Sequence, residues 1–322
     1  MEEYQGWQYK ATFKSGQVDF EVVPSVKNKK PNSFFKYYSV NPNSVEALTK
    51  YYVYASHPNQ LNDSLDCNSQ ILDFQHASIE DMRELYEPFY SEFLRIHGGE
   101  DALKVNMSND FKILVYRRVG IISLAVSNGI IYFWNTYAES GRGFCVEWNV
   151  DKFPFRLYGP FPMHYVDTIR PFEVCNNMST SLLIQTNVKT RDWKDEHEWR
   201  LLVSNPNGLD FNTWELDGSY SERFNFGDEH DRKMRIPLEA VKSVTLGERF
   251  FRSSDIRCLP ITSEEMEVVF LNKKEHLRCN VLDFLTNNQF AVKWIGNELG
   301  ELIVCPIAVV KLQRNVYRII KI

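Results

Sequence analysis

The residues best suited to chemistry stand close together in residues 193–200, which read WKDEHEWR. Strand-like alternation would place Glu196, Glu198 and Arg200 on one face of the chain. Two carboxylates on one face repel, which can raise the pKa of one of them for acid–base work, and an arginine beside them can orient them or bind an anion. These three residues are therefore the candidate catalytic groups. Taken alone, they favour a simpler interpretation, an exposed strand face with a Glu–Arg pair.

Two further stretches offer groups that can bind a ligand. Residues 62–66 (NDSLD) follow an apolar segment. Asn62 and Asp63 can simply build turns, or they can hold ribose hydroxyls or a hard cation. The spacing differs from that of a calcium-binding loop, which weakens the metal interpretation. Residues 134–143 contain two glycines that either let a ligand approach the backbone or cap a helix before a strand, and the cap is favoured.

Several familiar catalytic motifs are absent from the sequence. It contains no HExxH, no GxSxG, no GxxxxGK[ST] and no GxGxxG after a strand, which argues against metalloprotease, nucleophile-elbow, P-loop and Rossmann sites. The six cysteines are scattered without a CxxC pair. This spacing argues against a zinc cluster and predicts buried free thiols, so we expect no metal.

Composition limits the class of protein further. The 322 residues carry 37 Lys+Arg against 42 Asp+Glu, a net charge of −5, so a globally basic nucleic-acid binder is unexpected, while a local basic face stays open. Aromatic residues make up 14% of the chain, which excludes wholesale disorder.

No segment is expected to enter a membrane. The N-terminus lacks the basic start and apolar core of a signal peptide. The longest charge-free run, 119–138, has twenty residues, but the sequence SNG at 127–129 would be costly in lipid. We interpret this run as a buried strand, a tight turn and a short helix, and we expect a soluble cytoplasmic protein.

The elements that must position these residues follow from hydrophobic spacing. Helices are predicted at 43–50, 78–97, 130–138 and 176–189, the first capped by Asn43 or Ser44 and the second kinked at Pro88. Residues 217–233 are predicted to form a mobile loop. Strands are predicted at 34–40, 51–55, 111–116, 119–126, 144–148, 163–166, 198–203, 211–216, 241–246, 266–271, 281–285, 290–294, 301–305, 309–312 and 316–320. The pattern indicates an α+β fold with a central mixed, mainly antiparallel sheet flanked by helices.

The same segments predict the domain organisation. Residues 1–264 are expected to form an α+β core domain, and residues 265–322 a β-rich C-terminal extension or small subdomain. This C-terminal segment either completes the main sheet or forms a small β-barrel-like appendage that could bind a partner. The sequence leaves both arrangements open.

Four segments, taken in order, resemble a bacterial family of unknown function, number 2971 among the domains of unknown function. They are 35–38 (FKYY), 54–66 (YASHPNQLNDSLD), 122–144 with its ISL and WNTYA motifs, and 189–200, where a lysine precedes WKDEHEWR. The resemblance covers about 34–250. Ser64 and Leu65 stand where the family usually has proline and phenylalanine. The family supplies no established activity.

The layout also resembles that of DarT-type and related ADP-ribosyltransferases. The resemblance rests on an early strand, a short helix, a strand ending in Ala55-Ser56, a late strand with Glu198 and the segment 236–244 (IPLEAVKSV). In those folds the first strand opens the nicotinamide pocket. The resemblance implies that Glu198 holds a ribose hydroxyl of NAD and favours an oxocarbenium-like transition state as nicotinamide leaves.

This resemblance also implies how NAD and an acceptor would be bound. The residues expected to bind NAD are Lys36, Tyr38, Ser56, Asn62, Asp63 and Tyr137. Relatives have an arginine or histidine on the first strand, where this chain offers only Lys36. Glu196 would position the acceptor, a protein or a nucleic acid. The implied function is an NAD-consuming effector of bacterial phage defence or conflict.

Two other classes of function stay open. The Glu-x-Glu-x-Arg face and the many aromatic residues would also suit a non-catalytic sensor or interaction module of a defence system, which binds a partner protein or a nucleotide. A carboxylate- and metal-dependent hydrolase is the third alternative. It requires Asp63, Asp66 and Glu198 within ~4–6 Å of one another.

Overall fold

The computed structural model describes residues 1–14, 17–26, 29–63, 65–80, 83, 90–106, 108, 119–154, 157–174, 178–204, 232–298 and 301–322. The chain divides into two compact units, each built from three segments. The first unit consists of Met1–Lys30, Tyr54–Ser123 and Phe155–Arg232. The second consists of Pro31–Val53, Leu124–Pro154 and Lys233–Ile322.

Both units contain helices and strands. The helices are α1 (Pro42–Thr49), α2 (Tyr90–His97), α3 (Ile131–Thr136), α4 (Met178–Asn187) and α5 (His276–Asn287), and residues 100–106 are also helical. The strands lying mainly in the first unit are β1 (Glu2–Tyr4), β2 (Trp7–Lys14), β3 (Gln17–Val23), β6 (Leu72–Asp73), β7 (Val119–Leu124), β9 (Leu157–Pro162), β10 (His164–Val166), β11 (Phe172–Glu173), β12 (Val188–Thr190) and β13 (Trp199–Ser204). The strands lying mainly in the second unit are β4 (Phe34–Tyr38), β5 (Tyr52–Tyr54), β8 (Phe144–Trp148), β14 (Lys233–Arg235), β15 (Val241–Leu246), β16 (Ile256–Pro260), β17 (Glu265–Phe270), β18 (Ala291–Glu298), β19 (Glu301–Gln313) and β20 (Val316–Lys321).

The first unit is built from small sheets around a central helix. Its sheets have the strand orders β1-β2-β3, β7-β13-β9, β10-β12 and β11-β6. Helix α4 is buried from residue 179 to residue 187, and its Leu182 and Leu183 share a hydrophobic core with Ile121 of β7 and Leu202 of β13. Because α4 is enclosed on all sides, it behaves as a core helix rather than an amphipathic surface helix.

The second unit contains one large sheet, with the strand order β16-β17-β20-β19-β18-β15-β8-β4. Strands β15 and β18 are parallel, and every other neighbouring pair is antiparallel. This confirms the predicted α+β fold with a mixed, mainly antiparallel sheet and a β-rich C-terminal segment. Strands β17 to β20 complete the large sheet, which answers the question that the sequence left open.

Two local predictions are wrong. Residues 281–285, predicted as a strand, lie inside α5, where Val281, Leu282 and Leu285 are buried. A short apolar run fits a strand and a helix equally well, and here the flanking turns are helical. The N-cap of α1 is Asn41 rather than Asn43 or Ser44. Its side chain accepts a hydrogen bond from the Ser44 N–H, and the Ser44 hydroxyl reaches back to the Asn41 N–H as in a capping box.

Other predictions are met in part. The helix expected at 176–189 ends at Asn187, because residues 188–190 pair with β10 as a parallel strand. The second half of the helix expected at 78–97 is present as α2, whereas its kink at Pro88, the strand at 111–116 and the segments at 211–216 and 217–231 lie outside the described residues. No helix within the described ranges combines the length and apolar character that a membrane span requires.

Candidate functional site

Five ionisable side chains of the first unit meet in its interior. We call this group the charge cluster, and its members are Asp66, Lys189, Glu196, Glu198 and Arg200. They come from a turn, from β12, from the end of a short 3-10 helix and from the start of β13. None is more than 6% exposed. The cluster is therefore the opposite of the exposed strand face that the residues alone favoured.

A backbone kink brings the two glutamates together. Glu196 ends the 3-10 helix Arg191–Glu196, and His197 then takes the left-handed conformation with φ 44°. Glu196 thus lies before the strand, not on the face of an extended strand as the alternation suggested. The Lys189 ammonium donates to Glu196 Oε2 at 2.7 Å and to Glu198 Oε2 at 3.0 Å. One lysine therefore holds both carboxylates.

Arg200 ties the cluster to a distant turn. Its Nε donates to Glu198 Oε1 at 2.8 Å, and its Nη1 donates to Asp66 Oδ1 at 2.7 Å. Its Nη2 donates to Asp66 Oδ2, which completes a bidentate pair, and Nη1 also reaches the Thr186 carbonyl at 2.7 Å. The guanidinium thus fixes the orientation of Glu198 relative to the end of α4.

The backbone of Glu198 is held as firmly as its side chain. Its N–H donates to the Tyr165 hydroxyl at 3.0 Å, and its carbonyl accepts from the Met163 N–H at 3.0 Å. On the other side of the cluster, the Lys189 ammonium lies 4.9 Å from the centre of the Trp193 ring, within cation–π range. Glu198 is therefore positioned through its backbone and both carboxylate oxygens.

The cations decide the ionisation of Glu198. Burial by itself raises the pKa of this carboxyl, but Arg200 and Lys189 outweigh burial and lower the pKa to about 2. Burial likewise lowers the pKa of Lys189, and the neighbouring carboxylates, Glu198 foremost, raise it above its usual range. The idea that repulsion between the two glutamates raises a pKa is therefore wrong for Glu198, which stays ionised.

Asp63, one of the predicted ligand-binding residues of the first unit, shapes the turn that carries Asp66. Asp63 Oδ1 accepts from the Leu65 N–H at 2.9 Å, and the Asp63 carbonyl accepts from the Asp66 N–H at 3.1 Å. Asn62 precedes this turn, and Ser56 exchanges two backbone hydrogen bonds with Ile121. Asp63 Oδ2 is buried without a hydrogen-bond partner among the described residues. The turn interpretation of Asp63 thus holds, and one of its oxygens stays unused.

The other predicted ligand-binding residues belong to the second unit. Lys36 and Tyr38 lie on β4, and Tyr137 caps the C-terminal end of α3. The Tyr38 ring stacks on Phe144 at 5.2 Å, and burial raises the pKa of its hydroxyl. The structure therefore brings Glu196, Glu198 and Arg200 together, whereas the six expected NAD-binding residues are divided between the two units.

The cluster does not have the donor set of a metal site. No group of three or more His, Cys, Asp or Glu side chains that could hold a metal ion occurs among the residues described. Asp66 and Glu198 are instead bridged by Arg200, and Lys189 Nζ lies 3.7 Å from Asp66 Oδ2. Two protein cations thus neutralise the carboxylates that a divalent ion would need, which argues against the hydrolase alternative.

Sequence reasoning named three of the five cluster members as catalytic and left out two. Lys189 and Asp66 both lie in the segments that carry the family resemblance. Asp66 was named only for the metal-dependent hydrolase alternative, and Lys189 was given no role in catalysis. Burial was the missing signal, because three buried acidic residues require cations nearby, whereas the residues alone favoured an exposed strand face.

Comparison of the chain with protein-family models, with curated proteins and with solved structures found no match. The two resemblances described above therefore stay predictions.

Proposed function

We propose that this chain is an NAD-dependent ADP-ribosyltransferase in which Glu198 is the catalytic carboxylate. The observation that supports the proposal is the ionised state of Glu198, held by Arg200 and Lys189 in a buried setting. When the bond between nicotinamide and the ribose carbon breaks, its electron pair leaves with nicotinamide and positive charge develops on the ribose. A fixed carboxylate that accepts a ribose hydroxyl stabilises this charge, and more strongly where water is excluded.

The neighbours of Glu198 in the charge cluster would take supporting roles. Arg200 and Lys189 would keep Glu198 ionised and aimed, while Glu196, held by the same lysine, would position the acceptor that attacks the ribose carbon. The cluster contains three carboxyl groups and two cations, so it has one acidic group in excess. An excess of acidic groups stabilises a cationic transition state more than it stabilises the neutral or anionic groups of the substrate from which that state forms.

The remaining expectations belong to the same proposal. NAD is the substrate, and Ser56, Asn62 and Asp63, which belong to the same unit as Glu198, contribute to its binding. The acceptor is a protein or a nucleic acid, the site of action is the cytoplasm, and the biological role is bacterial phage defence or conflict.

Substitution of Glu198 tests the proposal. The E198Q variant keeps the size of the side chain and removes its charge, so release of nicotinamide from NAD should fall by at least about 100-fold. Nicotinamide is measured by chromatography after incubation with NAD, and circular dichroism verifies the fold. The matched control is E173Q on β11, an exposed glutamate of the same unit, which should leave the rate unchanged. Unchanged turnover in E198Q would contradict the assignment.

A second candidate, the non-catalytic module, is favoured by a different observation. Glu198 is 5% exposed, and each of its oxygens is bonded to a cation of the same unit. A group in that setting can also serve only to hold the fold around a binding surface. In that case the wild-type protein releases no nicotinamide at any concentration tested, and E198Q differs from it only in stability.

A further inference from the structure

The N-terminal sheet, β1-β2-β3, is a separate layer of the first unit. Within the described part of the chain its strands form ladders only with one another. The β1–β2 hairpin turns through Gln5 and Gly6, both with positive φ, as two-residue hairpin turns require. Because no strand ladder joins this sheet to the rest of the unit, it can move without breaking one.

Side chains attach this sheet to the rest of the unit at several points, and the one that contains a histidine is at His164 on β10. The imidazole stacks on the Trp7 ring with centroids 4.3 Å apart, and the Tyr4 ring meets its edge at 5.9 Å. Tyr9 Oη lies 2.9 Å from His164 Nδ1, at hydrogen-bond distance. His164 is 3% exposed. Three residues of the hairpin thus enclose a single titratable ring, and we call this group the aromatic cluster.

Beneath the sheet lies α4, the polar core helix. The Ala11 N–H of β2 donates to Thr180 Oγ1 of α4 at 3.1 Å. Further along α4, Ser181 Oγ and Gln185 Oε1 are buried without a hydrogen-bond partner among the described residues. Gln185 Nε2 donates to the Cys67 carbonyl, next to Asp66 of the charge cluster. Buried polar atoms left unpaired in this way gain hydrogen bonds to water when the helix is uncovered.

We propose that the N-terminal sheet covers α4, that its contacts with His164 help to hold it closed, and that it opens as a unit when this imidazole is protonated. We assign the neutral ring the tautomer that carries its proton on Nε2, in which Nδ1 accepts a hydrogen bond from Tyr9 Oη and the ring stacks on Trp7. The protonated ring carries an N–H at Nδ1, so the Tyr9 hydroxyl can no longer donate to it, and the added charge lies in an enclosed aromatic setting. This inference does not depend on catalysis by Glu198.

No described group that contacts His164 is an anion, so only the faces of its aromatic neighbours favour the protonated ring. From β1 and β2 it faces Tyr4 and Tyr9, and burial raises the pKa of both hydroxyls, so both stay neutral. The Arg170 backbone bonds to the Tyr4 hydroxyl, and the charge of the Arg170 side chain, which also acts on Tyr4, is positive rather than negative. From β12 it is paired with Val188, and the adjacent Lys189 is engaged in the charge cluster.

The size of the effect follows from the titration of His164. Burial lowers its pKa to about 4 when the cover is closed, against 6.5 for an exposed histidine. Protonation therefore favours the open form, and the opening constant should rise about thirtyfold between pH 8 and pH 5.

Hydrogen exchange on the full-length protein tests this inference. Exchange is followed by mass spectrometry at pH 8 and pH 5, and the rates are corrected for the intrinsic effect of pH. Peptides within β2 and within α4 should lose protection together, by about thirtyfold, while peptides of β7 and β13 in the same unit keep theirs. Loss of protection in all of these strands would mean that the unit unfolds as a whole, and would overturn the proposal.

Two variants complete the test. H164Q removes the titrating group and should abolish the pH dependence in β2 and α4, whereas H76Q, at an exposed histidine of the same unit, should retain it. A disulfide between A11C and T180C should hold α4 protected at pH 5 until it is reduced. A pH response that survives in H164Q, or α4 exchange that the disulfide leaves unchanged, would each overturn the proposal.

Discussion

Two of the regions in which the first unit buries ionisable side chains, the charge cluster and the aromatic cluster, affect the charge of those side chains in opposite ways. In the charge cluster, Glu198 is surrounded by cations and its pKa falls. In the aromatic cluster, His164 is surrounded by rings and a hydroxyl, and its pKa falls as well, but for a base this means loss of charge. Burial disfavours the charged form of both groups. The cations beside Glu198 outweigh burial, whereas at His164 burial prevails.

This difference determines how each region responds to acid. Lowering the pH removes the charge that the charge cluster requires, and it adds a charge that the aromatic cluster excludes. Both changes destabilise the folded chain as the pH falls, but in different windows. Protonation of His164 lowers the stability between about pH 6.5 and pH 4, and protonation of Glu198 lowers it between pH 4.5 and about pH 2. The two regions can therefore be separated experimentally.

The largest effect is expected from removing the cation that both Asp66 and Glu198 share. R200M fills a similar volume but leaves two buried carboxylates without their main partner, so the free energy of unfolding should fall by about 3–5 kcal/mol. Urea denaturation followed by circular dichroism measures the change. R200K keeps the charge while losing the bidentate fork, so it should be less damaging. A loss below about 1 kcal/mol in R200M would show that the cluster is more hydrated than its burial indicates.

The aromatic cluster should produce a smaller, pH-dependent effect. Its folded-state pKa lies below that of an exposed histidine, so the unfolded chain binds the proton first as the pH falls. The stability contributed by neutral His164 is complete well above pH 6.5, and about 2.5 kcal/mol of it should be lost between pH 6.5 and pH 4. Urea midpoints measured across this range give the slope.

The histidine variants decide whether that slope belongs to His164. H164Q should flatten the curve between pH 6.5 and 4 and leave the loss below pH 4.5, to which Glu198 of the charge cluster contributes. H76Q should reproduce the wild-type curve, because the His76 side chain is exposed and bonded to Asp73. An unchanged slope in H164Q would assign the acid response to other groups.

Sequence patterns predicted much of the fold where the hydrophobic signal was unambiguous. The strands found at 119–124, 144–148 and 241–246 match predicted strands because each is a β-branched or aromatic run between turn residues. The prediction failed at 281–285, where an apolar run is short enough to fit two periods and the surrounding helix decides. Sheet order could not be predicted, because pairing between distant segments leaves no local signal.

The candidate site was predicted through residue type but not through geometry. The stretch at 193–200 drew attention to Glu196, Glu198 and Arg200, and the structure does bring them together. The backbone kink that brings them together could not be predicted. His197 takes the left-handed conformation without being a glycine, so no residue type in the sequence marks the kink. Burial was hidden as well, since the pairing cation Lys189 and the acid Asp66 come from other segments.

The smallest effect is expected from an ion pair that matches the charge cluster in distance and differs in exposure. Arg191 Nη1 lies 2.9 Å from Asp167 Oδ1, and Arg200 Nε lies 2.8 Å from Glu198 Oε1. The side chains of Arg191 and Asp167 are 55% and 75% exposed, whereas those of Arg200 and Glu198 are 1% and 5% exposed. R191M should therefore change the free energy of unfolding by less than about 0.5 kcal/mol, and added salt should remove even that. A loss above about 1 kcal/mol, comparable with that of a buried pair, would mean that distance rather than desolvation sets the strength of these contacts, and the contrast between the two pairs would fail.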